Sequence, residues 1–345
     1  MLLNDSYFYT APYLGFLRKP YFDRKYRQDI LDAIAEAGKE PTDFLYRDLL
    51  DKYSHYQIDL YEYFYFGMQH RTASEIGEYI GNREKTRLTQ RMNDPSKKHI
   101  FDNKAETYEL FKKFYKREMV LVRIDNEEDK DAFAAFVSRH EEFVVKPIDL
   151  YFGVGVRKVV RNGKTAQELY DEIVSERIFG FVAEELIIQH EATAHFHPQS
   201  LNTVRFPTIR QDDGVKLWYP FLRMGKGESF VDNISSGGVA ALIDPETGVL
   251  GKAASHYLRD VQEHPDTHAS IPGYQLPLWD EAVAMVKELA QVVPEMRYVG
   301  WDLALSDKGW VLVEGNAAAQ MSTQQCLSGY GYRSEFMAEL KKMGK

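Results

Sequence analysis

Residues 301–320, WDLALSDKGWVLVEGNAAAQ, constrain the fold of this chain more than any other stretch. Two short apolar runs flank Ser306, Asp307, Lys308 and Gly309, which is the pattern of a β-hairpin. Asp307 and Lys308 lack the Asn-Gly or Asp-Gly chemistry of a two-residue loop. A three-residue loop with Gly309 in the left-handed conformation is therefore expected. That loop pairs Ser306 with Trp310, and hence Asp302 with Glu314. Residues two apart share a face of a strand, so Asn316 joins the carboxylates, while Leu303, Leu305, Val311 and Val313 point to the other side. Three oxygen-bearing side chains on one face suit a hard cation such as Mg²⁺, which takes oxygen ligands and bridges carboxylates to nucleotide phosphates. For Glu-Gly-Asn taken alone, polar residues at a wet strand end are the plainer account.

A chain of 345 residues with 44% hydrophobic and 13% aromatic residues can bury a large core or several smaller ones. Its formal net charge of −9 disfavours bulk binding of nucleic acid. The single cysteine, Cys326, excludes an intrachain disulfide and a cysteine-rich zinc site. There is no cationic, apolar leader and no run long enough to span a membrane, so a soluble, cytoplasmic protein is expected. Residues 1–99 read as a helical region. Ile30, Ile34 and Ala37 fall at helical spacing ahead of Gly38 and Pro41, Thr42 is an N-cap candidate, and Thr72 with Glu75 forms a capping box. The tyrosine-rich YSHYQIDLYEYFYFGM reads as packed core.

From Phe101 the pattern changes to α+β with much antiparallel sheet. Asp102 is positioned to cap a helix with Leu110, Phe111, Phe114 and Tyr115 inward, and Thr165 with Glu168 caps another. Strands are expected at FVVKPI, VGVRKVV, FGFVAEELIIQ, LNTVRFPTIR, KLWYPFLRM and GGVAALID, and helices at WDEAVAMVKELAQVV and SEFMAELKK. Lys146 interrupts an apolar strand, where a lysine is costly without an anion. Gly153 and Gly155 follow, and a glycine turn between two strands brings backbone N–H groups over phosphates, although tight hairpins carry the same glycines. Lys104 lies in a helix first turn, a place that already favours anions. Arg205 and Arg223 sit on strands, where a guanidinium suits phosphate or carboxylate; a structural ion pair is the alternative. Asn233, Ser235 and Ser236 lie in a glycine-bounded loop. His190, His195 and His197 lack the spacing of a zinc helix. The basic segments RKPYFDRKYR and NREKTRLTQRMNDPSKKH fit an anionic lipid surface or a lipid-linked carrier, though solvated helix faces explain them more simply.

Taken in order, Lys104, Lys146 with its glycines, VAEELI, and Asp302 with Glu314 and Asn316 resemble the ATP-grasp superfamily. SLNTVRFPTIR, FVDNISSGGV and GWDLALSDKGWVLVEGN look like the sugar-transfer-associated branch of surface-polysaccharide loci. The resemblance implies a small lobe over 100–188 and a large lobe over 189–345 clamping ATP. Leu186 and Ile187 would meet adenine, Glu184 or Glu185 its amino group, and Glu191 the ribose. Lys104 and Lys146 would hold phosphates, and Mg²⁺ would sit on Asp302, Glu314 and Asn316. Arg205, Arg223 and Asn233 would face the γ-phosphate or acceptor. The implied reaction joins a carboxylate to an amine through an acylphosphate, on a uronic acid or another surface-glycan precursor. A phosphotransferase acting on a hydroxyl, or a non-catalytic nucleotide-binding module, would use the same scaffold.

Overall fold

The computed structural model describes residues 28–35, 37–148, 155–175, 178–232, 234, 237–255 and 260–344. The chain falls into two compact units, residues 1–91 with 320–345 and residues 92–319. Residues 320–345 fall in the same unit as the N-terminal helices.

The first unit is helical: α1 (28–35), α2 (Asp43–Tyr56), α3 (Leu60–Tyr65), α4 (Ala73–Glu78) and α5 (Asn82–Met92, ending at the boundary), with α12 (Ser322–Ser328) and α13 (Arg333–Lys342). Thr42 caps α2, and Thr72 with Glu75 forms the capping box of α4. Ile30, Ile34, Tyr46, Tyr63, Tyr65, Phe66 and Tyr79 form its core, so the tyrosine-rich stretch is mostly packed rather than offered as a surface. The Gln325 amide exchanges two hydrogen bonds of 2.9 Å with the backbone of Ile80, which ties α12 to the N-terminal helices. Glu62 is fully buried and accepts from the N–H groups of Asp59 and Asn82 and from the Ser322 hydroxyl. Burial outweighs these bonds and raises its pKa to about 7.

The second unit contains α6 (His99–Asp102), α7 (Lys104–Tyr115), β1 (Met119–Arg123), α8 (Glu127–Arg139), β2 (Glu142–Pro147), β3 (Arg157–Val160), α9 (Ala166–Val174) and β4 (Gly180–Glu185). It continues with α10 (Glu191–Ala194), β5 (Thr203–Gln211), β6 (Gly214–Leu217), β7 (Phe221–Met224), β8 (Val239–Ile243), β9 (Leu250–Ser255), α11 (Trp279–Val292), β10 (Tyr298–Ser306) and β11 (Gly309–Asn316). Four strands form a sheet in the order β1-β4-β2-β3, and seven form a second sheet in the order β11-β10-β5-β7-β8-β9, with β6 beside β5. Every pairing among them is antiparallel, so the α+β reading holds. The strand expected at KLWYPFLRM is split into β6 and β7, because Tyr219 turns with φ +51° ahead of Pro220.

Each sheet has its own core. Phe133, Phe136, Phe143, Leu169 and Phe181 pack the smaller one. Val204, Phe206, Leu222, Met224, Leu303, Leu305, Trp310 and Leu312 pack the larger one with α11. Helix α7 sends Tyr108, Phe111, Phe114 and Tyr115 into this larger core, while Leu110, expected inward, is 44% exposed. The α7 cap is Asn103, whose side chain accepts from the N–H groups of Ala105 and Glu106. Asp102, the expected cap, instead pairs with Lys98. Among the described residues no helix is long and apolar enough to cross a membrane.

Candidate functional site

The hairpin turns through a two-residue loop, not the three-residue loop expected: Ser306 pairs with Gly309 and Leu305 with Trp310. Gly309 does take the left-handed conformation, with φ +77°. Continued unbroken, this register would set Val313 opposite Asp302. A β-bulge between Asp302 and Leu303 inserts one extra residue on β11, so Glu314 stands opposite Asp302 and Asn316 opposite Gly300. The expected pair thus forms by a different route. The apolar side of the hairpin is consequently Leu303, Leu305, Trp310 and Leu312 rather than one that includes Val311 and Val313.

Cross-strand register extends the polar face over β5 and β7. Asp302 lies opposite Arg205, and Arg223 lies opposite Thr203, two residues from Arg205. Asp302 is fully buried and receives both arginines. The Arg205 Nε donates to Oδ1, Arg205 Nη2 to Oδ2 at 2.8 Å, and Arg223 Nη2 lies 2.9 Å from Oδ2. Burial alone would raise the Asp302 pKa, but the two guanidiniums outweigh it and hold the carboxyl below its ordinary range. Arg223 also donates to the Thr203 hydroxyl at 2.6 Å, and Asp232 accepts from Thr203 N–H at 2.9 Å and lies 3.5 Å from Arg223. Sequence reasoning missed Asp232. Its neighbour Asn233 lies outside the described residues, as do Gly153, Ser235 and Ser236.

Glu314 differs from its partner. Its side chain is exposed and accepts from the Asn316 amide at 3.0 Å, and among the described residues no base forms an ion pair with it. The protein around it and then the Asp302 charge raise its pKa, although the carboxylate keeps access to solvent. Two carboxylates and an amide oxygen form a hard-donor set, and the repulsion at Glu314 is what a cation there would relieve. These residues therefore fit Mg²⁺. Glu314 and Asn316 would face the ion, and Asp302 would contribute through the lone pair that the arginines leave.

The small sheet supplies a second charged cluster. On β2 Lys146 lies 2.8 Å from Glu184 Oε1, and Arg117 donates to Glu184 Oε2 through Nε at 3.0 Å and Nη2 at 2.7 Å. Burial would raise the Glu184 pKa, but Lys146 and then Arg117 bring it down to about 2. Lys104 Nζ donates to the carbonyl of Pro147, the residue after Lys146, so the two lysines meet at one end of β2. Glu185 pairs with Lys308 at the hairpin tip at 2.7 Å. Both glutamate side chains of VAEELI are thus engaged by cations. Leu186 and Ile187 are half-buried in an extended connector, which docks on the hairpin through Ile188 O to Asp307 N–H (3.1 Å) and His190 N–H to Leu305 O (2.9 Å). Glu191 is exposed at the start of α10, and Gly155 takes φ +75° just ahead of β3.

The histidines have local duties. His190 caps α10, His195 stacks on Tyr274, and His197 is buried between Ser200 and the Gly227 carbonyl. Among the described residues no group of three or more His, Cys, Asp or Glu side chains is placed to hold a metal ion.

No curated protein matches the chain. Among solved structures it is similar to the ATP-grasp ligase PsnB complexed with a phosphomimetic variant of its minimal precursor, Mg and ADP. That match has TM-score 0.45 and 14% identity, and covers 76% of this chain and 67% of that one. It is also similar to D-alanyl-alanine synthetase A from Vibrio cholerae (TM-score 0.45, 12% identity, 72% and 66% coverage) and to D-alanine–D-alanine ligase from Helicobacter pylori (0.42, 14%, 70% and 60%). The chain spans about two thirds or less of the length of these relatives, and no residue role follows from likeness of this degree. The sequence profile of one family reaches further. It is described as sugar-transfer associated ATP-grasp and matches residues 83–342, a span that holds both lysines, both arginines and the bulged hairpin. On that match, which covers well over half of its length, the chain belongs to the sugar-transfer associated ATP-grasp family.

Proposed function

We propose that the protein is an ATP- and Mg²⁺-dependent carboxylate–amine ligase that makes an amide through an acylphosphate. The observation that carries this reading is the bulged register, which sets Glu314 against Asp302 and aligns Arg205 and Arg223 on the same face. Lys104 and Lys146 bind the phosphates, and Gly153 and Gly155 are assigned to the same phosphate site. Adenine meets the main chain at Leu186 and Ile187, since Glu184 and Glu185 spend their carboxylates on cations, and Glu191 reaches the ribose. Asp302, Glu314 and Asn316 would hold Mg²⁺, which would supply charge neutralisation for the phosphates.

Arg205 and Arg223 stabilise the transferring phosphoryl group with donors not used on Asp302, and Asn233 is assigned to the acceptor. An acceptor carboxylate oxygen attacks the γ-phosphorus and ADP leaves. The amine then attacks the acyl carbon, phosphate departs and the amine loses a proton. Positioning and charge do the work, as phosphoryl transfer requires. The family's association with sugar transfer supports a uronic acid or another glycan-linked acid as the acceptor and a cytoplasmic role in surface-polysaccharide synthesis. In domain terms, residues 100–188 act as the small lobe with the glycine flap, and the large lobe from residue 189 carries the metal site.

Purified protein with ATP, Mg²⁺ and paired uronic acids and amines tests the reading. ADP, free phosphate and an amide mass are expected. A stable phosphorylated acceptor without amide would make the protein a phosphotransferase. Nucleotide binding without turnover would make it a binding module.

A further inference from the structure

Arg117 lies between the C-terminus of α7 and β1 and is buried, with all three guanidinium nitrogens hydrogen-bonded. Nε and Nη2 hold Glu184 Oε2, while Nη1 donates to Leu312 O on β11 at 2.6 Å and to Tyr115 O at 3.2 Å. The guanidinium also lies 4.7 Å from the Tyr115 ring centroid. Leu312 is two residues before Glu314 on the strand that carries the acidic pair. One side chain therefore ties the Lys146 cluster on the small sheet to the metal strand of the large one.

The charge count shows what this tie accomplishes. Glu184 brings one negative charge and Lys146 and Arg117 one positive charge each, so the buried cluster keeps a single net positive charge. Without Arg117, Glu184 would turn wholly to Lys146 and cancel it. A neutral pair has little to offer a polyphosphate, whereas a cluster that stays cationic in a poorly solvated place attracts one strongly. A glutamate beside a phosphate-binding lysine would otherwise be a flaw, and Arg117 removes it.

We propose that Arg117 is a positioning residue for nucleotide phosphates: it occupies Glu184 so that Lys146 keeps its charge for the polyphosphate, and it fixes that cluster to β11. The inference rests on the reading of Lys146 as a phosphate ligand. Titration calorimetry with ATP, ADP and AMP in Mg²⁺ tests both, with thermal unfolding of each variant alongside. Lys146→Met and Arg117→Met should each weaken ATP by about tenfold or more and flatten the preference for ATP over AMP. Adding Glu184→Gln to Arg117→Met removes the cancelling charge and should restore most of the ATP affinity, a rescue that a merely structural role would not give. Arg117→Lys keeps the positive charge beside Glu184 though not the guanidinium fork, and should bind ATP more tightly than Arg117→Met does. If Lys146→Met binds ATP normally, the phosphate-site reading fails and this inference with it. If Lys146→Met weakens ATP while Arg117→Met does not, the inference alone is overturned. It is overturned equally if the double variant is no better than Arg117→Met, or if Arg117→Lys loses as much as Arg117→Met.

Discussion

Glu184→Gln separates the electrostatics of the buried cluster from its packing. Lys146 and then Arg117 hold the wild-type carboxyl down at about 2 in the folded protein, against 4.5 for the free group. A depressed carboxylate stabilises the fold above its unfolded pKa, and that stability is lost as pH falls toward the folded pKa. The contribution is on the order of 3 kcal/mol at neutral pH, nearly whole at pH 5 and roughly halved at pH 3. Glutamine is nearly isosteric and does not titrate, and it leaves Arg117 and Lys146 without a counter-charge. All four tryptophans, Trp218, Trp279, Trp301 and Trp310, lie in residues 92–319, so their fluorescence reports unfolding of this unit alone. Urea unfolding of both proteins at pH 5 and pH 3 should show the wild type ahead at pH 5, with the gap narrowing by about 2 kcal/mol at pH 3. A gap that does not change with pH would refute the assignment of Lys146 and Arg117 to one charged cluster with Glu184.

The other predictions concern the hairpin. Protons compete with a cation for the Glu314 carboxylate, whose pKa is raised, so Mg²⁺ affinity should fall on acidification and do so at higher pH than for an ordinary glutamate. Glu314→Gln should abolish that dependence and lower turnover about 100-fold or more, checked by Mg²⁺ titration across pH and by phosphate release. At Gly300 an added Cβ would come 2.4 Å from the Ala319 Cβ and 3.0 Å from the Arg205 Cδ, so Gly300→Ala should cost about 1–3 kcal/mol in denaturant and slow turnover by displacing Arg205 from Asp302. Gly309→Ala must place a side chain at φ +77° and should destabilise the second unit by about 1–2 kcal/mol, read by tryptophan fluorescence.

Local signals carried most of the architecture. Short apolar runs located β2, β4, β5, β8, β10 and β11, and Thr42, Thr72 and Thr165 cap helices where Ser/Thr-x-x-Glu chemistry or a helix start marked them. The hairpin shows the limit of such reasoning. Loop chemistry named Gly309 correctly as left-handed, but the loop and the bulge each shift register by one, and only their sum is visible in the pairing of Asp302 with Glu314. No local rule marks Val313 as the residue to be bulged. Sequence reasoning missed helix α8, although it carries a readable signal: Asn126 three residues before Asp129, with Phe133, Phe136 and Val137 at helical spacing. Arg117 carried none: its partners are 67 and 195 residues away, so KFYKREMV reads as an ordinary basic helix end. The same distance hid the arginine pair on Asp302 and the packing of residues 320–345 with the first helices.

The central claim is that this site activates a carboxylate with ATP for attack by an amine. An acceptor acid labelled with ¹⁸O in its carboxylate decides it, with the released phosphate read by mass spectrometry in the presence of the amine. Transfer of one ¹⁸O from each acid turned over into inorganic phosphate is the predicted result, because the acyl–oxygen bond breaks when the amine displaces phosphate. Phosphate free of label, or label retained in a stable phosphorylated product, would contradict the account.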